Sequence, residues 1–319
     1  MQRVRRHRNA LWPRLSAGLL AAVLLPGAGI GFQDNRVMVV SVSGIRPMEE
    51  AVEGLREGFG QSPPWFVDLK SPSGESELAE ALRKAPPRIV VTVGMDALKT
   101  VAAHPSAVAI LATMVLRSDG AAILAEASRH PVVRRVAAVY LDVPAGDVAP
   151  ELRALFPGKH RIGALHNPSR EGHSDTQWQA RLRQQGFVVE VREVGRPEEL
   201  LRSFLSLKRK VDFVLLSPDS SLYNEATVKP LILASLENQL PIVGFSASFV
   251  RAGAAVGVYP EFHDIGLQAA EAVHRFLAAP ADFSDETPRK LSVGVNAQVL
   301  RLLGLEPHAS AGHAVVPIK

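Results

Sequence analysis

The residues best equipped for chemistry lie together at Asp219, Ser220, Tyr223 and Asn224, in the run S-P-D-S-S-L-Y-N. Within six positions they offer a carboxylate, two hydroxyls and a side-chain amide. A carboxylate pairs with an ammonium group, while amides and hydroxyls fix a polar molecule by directed hydrogen bonds. The set suits recognition of a small polar ligand. The same residue types also cap helices, so Ser220 or Asn224 could instead satisfy free N–H groups of a helix that follows.

Other chemistry has little foothold. Gly244-Phe245-Ser246-Ala247-Ser248 misses the G-x-S-x-G turn of a nucleophilic serine by one residue, because Ser248 stands where the second glycine belongs. Asp264 and His274 follow in an order that a hydrolase could use, but His274 falls mid-helix beside Phe276 with no loop to aim it. Ser246 reads better as a hydroxyl lining a cleft, with Phe245 beside it. The ten histidines form no metal pattern: His166 and His173 stand seven apart, and no H-x-x-x-H falls on a helix. With no cysteine, disulfides, thiolate catalysis, cysteine-ligated zinc and a lipid-modified N-terminal cysteine are excluded. No Walker A sequence occurs, so an ATPase working with this chain must be a separate chain. No cofactor is expected.

These residues need elements to position them. Phe213–Leu216 is an apolar run too short for a helix and closed by Ser217-Pro218, hence a buried strand. The cluster from Asp219 to Asn224 follows its carboxyl end, where open parallel sheets hold ligands. Thr227–Asn238 has helical spacing, and Ile242–Phe245 is the next buried strand, which puts Phe245 and Ser246 at its end. In the first half, strands at Arg36–Val42, Phe66–Leu69, Ile89–Val93 and Val108–Leu111 alternate with helices opening near Pro47, Glu77 and Gly94. Ser43, Gly94, Met95 and Thr113 stand at the ends of these strands. Helix N-termini after Gly44 and Gly94 suit a ligand carboxylate; ordinary turn chemistry is the competing reading. Asn167, ahead of Pro168, ends a strand at Arg161–Leu165 in the same way.

Further strands at Val136–Leu141, Phe187–Val194, Val256–Tyr259 and Leu291–Val295 complete the pattern. Helices fall near Val148–Phe156, Ser174–Gln185, Glu198–Leu207, Asp264–Leu277 and Ala297–Leu303. Alternating strands and helices imply two consecutive α/β units with parallel sheets and right-handed crossovers. Residues 307–319, rich in Ala, Gly and His, read as a frayed tail.

The P-D-x-x-x-Y-N turn, the P-I-V-G-F-S strand, the V-R-A-G-A-A-V segment and the D-I-G-L-Q-A-A-E helix all fall between Val211 and Glu271. Together they resemble the ABC-transporter substrate-binding proteins of the tryptophan/tyrosine type, and the likeness extends more loosely from Arg36 to Leu305. It implies an α/β fold of two doubly wound parallel-sheet lobes joined by three crossings, type I periplasmic-binding-protein-like, with ligand between the lobes. The implied crossings lie near Leu141, Val258 and Leu291. They assign residues 36–140 with 260–288 to a first lobe and 141–259 with 289–306 to a second. The helix Asp264–Leu277 then packs on the first lobe and Ala297–Leu303 on the second. Aromatic specificity does not carry over, because few rings are on offer for stacking: Phe245, Tyr223, Phe249 and Trp178.

With 319 residues, 47% of them hydrophobic, the chain can build real cores. Its net charge of +4 misleads. Residues 1–31 hold Arg3, Arg5, Arg6, Arg8 and Arg14 and no acid; the remainder sets 31 basic against 32 acidic residues, a net −1. Without a basic stripe, and with only 6% aromatic residues, nucleic acid is not an expected partner. The same N-terminal segment has the layout of a secretory signal peptide: basic Met1–Arg14, apolar Leu15–Leu25, then Pro26–Gly29, with cleavage expected after Gly31. Eleven residues in the apolar run fall short of the ~20 that span a bilayer. With the resemblance, the expectation is a periplasmic substrate-binding subunit of an ABC importer. It would capture a small polar molecule, an amino acid or related compound, by hinge closure and deliver it to permease and ATPase subunits at the inner membrane. Two alternatives stand beside it: a secreted α/β serine hydrolase built on Ser246, and a ligand sensor with no transporter of its own.

Overall fold

The apolar runs of the sequence find their places in two separate sheets. A computed structural model describes residues 34–169, 177–308 and 315–317. The expected signal peptide lies outside them, as do residues 174–176 of the helix expected to begin at Ser174. The first sheet is built from β1 (Asp34–Ser41), β2 (Pro64–Asp68), β3 (Ile89–Val93), β4 (Ala109–Thr113) and β5 (Arg135–Val139). Between them come α1 (Arg46–Phe59), α2 (Gly74–Lys84), α3 (Met95–Ala102) and α4 (Arg117–Arg129). The strands are parallel, in the order β2-β1-β3-β4-β5. β3 and β4 are buried at every position, which is what helices on both faces demand.

After β5 the chain supplies α5 (Ala145–Leu155), β6 (Arg161–His166), α6 (Gln177–Gln184), β7 (Val188–Glu193), α7 (Leu200–Leu205), β8 (Phe213–Leu215) and α8 (Glu225–Glu237). Then follow β9 (Ile242–Gly244), α9 (Ala247–Ala252), β10 (Val256–Tyr259), α10 (Phe262–Ala278), β11 (Ser292–Val295), α11 (Ala297–Leu302) and β12 (Val315–Pro317). The second sheet runs β12-β11-β10-β9-β8-β6-β7. Its one antiparallel neighbour pair is β10 with β11; β12, drawn from the stretch that reads as a tail, joins β11 in parallel at the edge. Two helices carry no clear signal in the sequence, α4 and α9.

The chain passes between the sheets three times: after β5, after β10 and before β11. The return segment α10 packs on α1, and both helices cover one face of the five-stranded sheet through Val37, Val39, Val91 and Leu111. Glycines let the two helices touch. A Cβ on Gly54 would stand 2.0 Å from the carbonyl oxygen of His263, and one on Gly266 would stand 2.0 Å from that of Ala51. On the opposite face Leu78, Leu98 and Leu124, from α2, α3 and α4, cover Met38, Val40, Val90 and Ile110. Val299 and Leu300 of α11 join the core of the second sheet.

Candidate functional site

The polar residues gather at the carboxyl ends of the strands. Beyond β8, Ser217-Pro218 turns the chain, and Asp219 opens a compact polar loop. The N–H and Oγ of Ser221 donate to Asp219 Oδ1 at 2.8 and 2.5 Å. From the end of β6, Asn167 Nδ2 donates to Asp219 Oδ2 and to Ser221 Oγ, both at 3.1 Å. The Ser169 N–H donates to Asn167 Oδ1 at 3.0 Å, which fixes the end of the amide that faces Asp219. Two of the predicted residues, Asn167 and Asp219, are thus joined across the adjacent strands β6 and β8. The carboxylate is held in place by these donors while the residue remains partly exposed. Such a group is preorganised to receive a cation. Ser221 was not anticipated, although an Asp two positions ahead of a serine is the signature of an Asx turn. Ser220 is exposed in the same loop.

Several neighbours are engaged in the fold itself. Asn224 commits its Oδ1 to α8, accepting from the N–H groups of Ala226 at 2.9 Å and Thr227 at 3.3 Å. The Asn224 N–H in turn donates to Thr227 Oγ1 at 3.0 Å, completing a capping box. Ser246 Oγ accepts the Phe249 N–H at 3.1 Å and caps α9. Tyr223 packs its ring on Phe245 and Phe249, with centroids 5.7 and 6.0 Å apart. Its hydroxyl is enclosed, without a hydrogen-bond partner among the described residues. Burial first, and the Asp219 charge second, push the phenol well above its ordinary range, so it stays protonated. These three rings pack on one another, and Trp178 packs against the core of the second sheet.

At the first sheet, Ser43 is exposed and its N–H donates to Asp68 Oδ1 at 3.0 Å. Hydrogen bonding from Ser43, its side chain foremost, holds the Asp68 carboxyl below its ordinary value. The Gly44 N–H donates to Glu49 Oε1 at 2.9 Å, so the start of α1 already has a carboxylate of its own. The start of α3 is arranged differently. Gly94 adopts φ +89°, which glycine alone tolerates easily, and its N–H donates to the Thr113 carbonyl at 2.9 Å. Met95 follows, partly exposed. Thr113 is fully buried, and its Oγ1 has no partner among the described residues.

A recess opens where β8, β9 and β10 end. Leu141 and Val143 of the first crossing line it, with Val258, Leu216, Pro218 and Phe245. Its wall is largely apolar, and Phe245 is the one predicted ligand residue on it. The sequence places crossings near Leu141 and Val258 but does not mark them, or Val143, as lining the recess. Neither Asp264 nor His274 is engaged with Ser246. His274 Nε2 lies 3.2 Å from the Gly58 carbonyl, and Asp264 Oδ1 accepts from Lys290 Nζ at 2.9 Å. Both belong to α10 on the first sheet, whereas Ser246 follows β9 of the second.

Two parallel-sheet lobes, three crossings and polar residues at the strand ends define a two-lobed α/β binding protein. The chain belongs to the ABC transporter substrate binding protein family, whose sequence model matches residues 67–308. It is similar in structure to a substrate binding protein with adhesive properties from Clostridium difficile, solved in a ligand-free, open form. That match has a TM-score of 0.63 at 16% identity and covers 89% of this chain and 99% of that one. An ABC domain from Streptococcus pneumonia, solved in complex with L-Trp, matches at a TM-score of 0.54 and 18% identity, over 85% of this chain and 95% of that one. A conserved domain protein from Vibrio cholerae matches at 0.55 and 15% identity, over 86% and 96%. No curated protein matches the chain in sequence.

Proposed function

We propose that this chain is the exported substrate-binding subunit of an ABC importer, and that it captures an amino acid or related small polar molecule between its lobes. The observation that carries this reading is the Asp219 carboxylate, held by Asn167 and Ser221 at the strand ends of the second lobe. It is suited to an ammonium group. The N-terminus of α3, which Gly94 opens and Met95 begins, is suited to a carboxylate on the same ligand. The apolar wall beside Phe245 is suited to an apolar part of that ligand. Residues 36–140 with 260–288 form one moving body, and 141–259 with 289–306 form the other. The ligand touches both in the closed state and so shifts the population toward it.

Engagement of Ser246 in a helix cap supports binding rather than catalysis. The basic, apolar and breaker segments of residues 1–31 support export with cleavage after Gly31. Permease and ATPase subunits at the inner membrane are the partners this role requires. The test is native purification followed by mass spectrometry of the co-purified small molecule, then solution scattering with that compound. A zwitterionic ligand that reduces the radius of gyration at saturation is the expected result. A bound molecule without a cationic group, or no change in radius at saturation, refutes the reading.

A further inference from the structure

Two of the three crossings leave the first sheet side by side. β5 is an edge strand, and the segment at Asp285-Glu286 pairs along it. The Glu286 N–H donates to the Ala138 carbonyl at 2.8 Å, and the Tyr140 N–H donates to the Glu286 carbonyl at 3.0 Å. The Ala138 N–H donates to Asp285 Oδ1 at 3.0 Å. Further back, the Glu286 carboxylate is tied to α10 by Gln268 Nε2, at 3.0 Å, and by the Arg275 guanidinium. Up to this point both chains are fixed to the first lobe. Beyond it, Val143-Pro144 leads into α5, while residues 287–290 stay tied to α10. Gln268 meets the Thr287 carbonyl at 2.9 Å and the Arg289 N–H at 3.0 Å, and Lys290 Nζ donates to Asp264 Oδ1 at 2.9 Å, before Leu291 leads into β11.

One side chain touches both crossings. Arg117, the first residue of α4, places Nη1 3.1 Å from Asp285 Oδ2. Its guanidinium carbon lies 4.1 Å from the centre of the Tyr140 ring. Its backbone N–H donates to Asp142 Oδ2 at 2.7 Å, and the adjacent Leu141 N–H donates to the Val115 carbonyl at 3.0 Å. We propose that Arg117 is a positioning residue for closure: it clamps the first crossing, where it leaves the first lobe, to the Asp285 start of the third, so that bending of the first crossing is confined to the residues beyond. The proposal rests on the hinge-closing reading given above. A hinge works through the few residues that absorb the change in φ and ψ. Releasing the clamp extends the flexible stretch back toward β5 and widens the range of lobe angles. The ligand must then order a broader ensemble. A planar guanidinium can donate to Asp285 and lie over the Tyr140 ring at once, which an ammonium cannot do.

The chain lacks cysteine, so Glu75→Cys on α2 and Arg202→Cys on α7, both exposed, accept a pair of spin labels. Electron–electron resonance on the ligand-free protein then reads the distribution of distances between the lobes. Arg117→Ala is expected to broaden it, raising the fraction outside the parental range by about two- to fivefold, what an exposed ion pair is worth. The melting temperature should change little. Arg117→Lys, which keeps the charge and loses the planar stack, is expected to fall between the two. Asp285→Asn keeps an acceptor for the Ala138 N–H and weakens the ion pair, and it should broaden the distribution as well. Superimposable distributions in Arg117→Ala overturn the proposal; if that variant does not fold, superimposable distributions in Asp285→Asn do so. Because no ligand enters the measurement, the result stands apart from the search for the bound molecule.

Discussion

Replacing Asp219 with alanine separates ligand recognition from loop structure. The carboxylate accepts from Ser221 N–H, Ser221 Oγ and Asn167 Nδ2. Ser221 is exposed, so its donors can turn to water, and the fold should lose only about 0.5–1.5 kcal/mol. In a chain of this size that lowers the melting temperature by a few degrees at most. Affinity should fall further. A hydrogen bond to a charged group is worth about 1.5–3 kcal/mol, or roughly ten- to a hundredfold in the dissociation constant. The assay is titration calorimetry with the co-purified ligand, alongside thermal shift. At a hundred times its dissociation constant, ligand stabilises the parent by about 2.7 kcal/mol. A variant binding thirtyfold more weakly retains only ~0.9 kcal/mol at the same concentration. Asp219→Asn, which keeps an acceptor for Ser221 but not the charge, should lose affinity to a similar extent. If both variants melt early yet bind within a factor of about three of the parent, Asp219 merely ties β6 to β8 and the ligand sits elsewhere.

Asn224→Ala makes the opposite forecast: loss of the α8 cap costs about 1 kcal/mol of stability by urea denaturation and leaves affinity unchanged. A large loss of affinity would return Asn224 to the ligand. Gly266→Ala drives a methyl group into the Ala51 carbonyl and should destabilise by about 1–3 kcal/mol; an unchanged urea midpoint would contradict the close α1–α10 contact. Asp212 is pushed up by burial, but hydrogen bonds from the Arg161 backbone and side chain and from the His160 N–H outweigh this and hold its carboxyl below the ordinary value. A lowered folded value means a contribution present above the ordinary value of 3.8 and lost as pH falls through the folded one. Asp212→Asn should therefore lower neutral stability by about 1–3 kcal/mol and flatten the acid limb of the stability curve; an unaltered acid limb would refute the assignment.

Strands were legible where nothing competed with them. β3 and β10 coincide with apolar runs at Ile89–Val93 and Val256–Tyr259, bounded by Arg88 and Gly94 in one case and by Ala255 and Pro260 in the other. α4 was not legible, because the residues it buries are Gly120, Leu124 and Ala127, and two of those three carry almost no hydropathy contrast. α9 has six residues, too few to establish a helical period. The contact between Asn167 and Asp219 depends on β6 lying beside β8 with β7 outside it, a fact of strand order that no local pattern encodes.

The loop after β8 shows why residue type alone could not sort its polar side chains. Asp219, Ser220 and Asn224 can all bind a ligand or cap a helix, and both needs exist within the same few residues. Position decides between them. Asp219, close to the strand end, is met by Asn167 from the neighbouring strand and by Ser221 of its own loop. Asn224, immediately before α8, takes the Ala226 N–H on its side chain and shares the Thr227 N–H between side chain and carbonyl. The helix terminus claims the nearest acceptor, and Asp219, nearer the strand, is bonded instead to the neighbouring strand's Asn167. The same rule applies at β9, where Ser246 stands directly before α9 and becomes its cap.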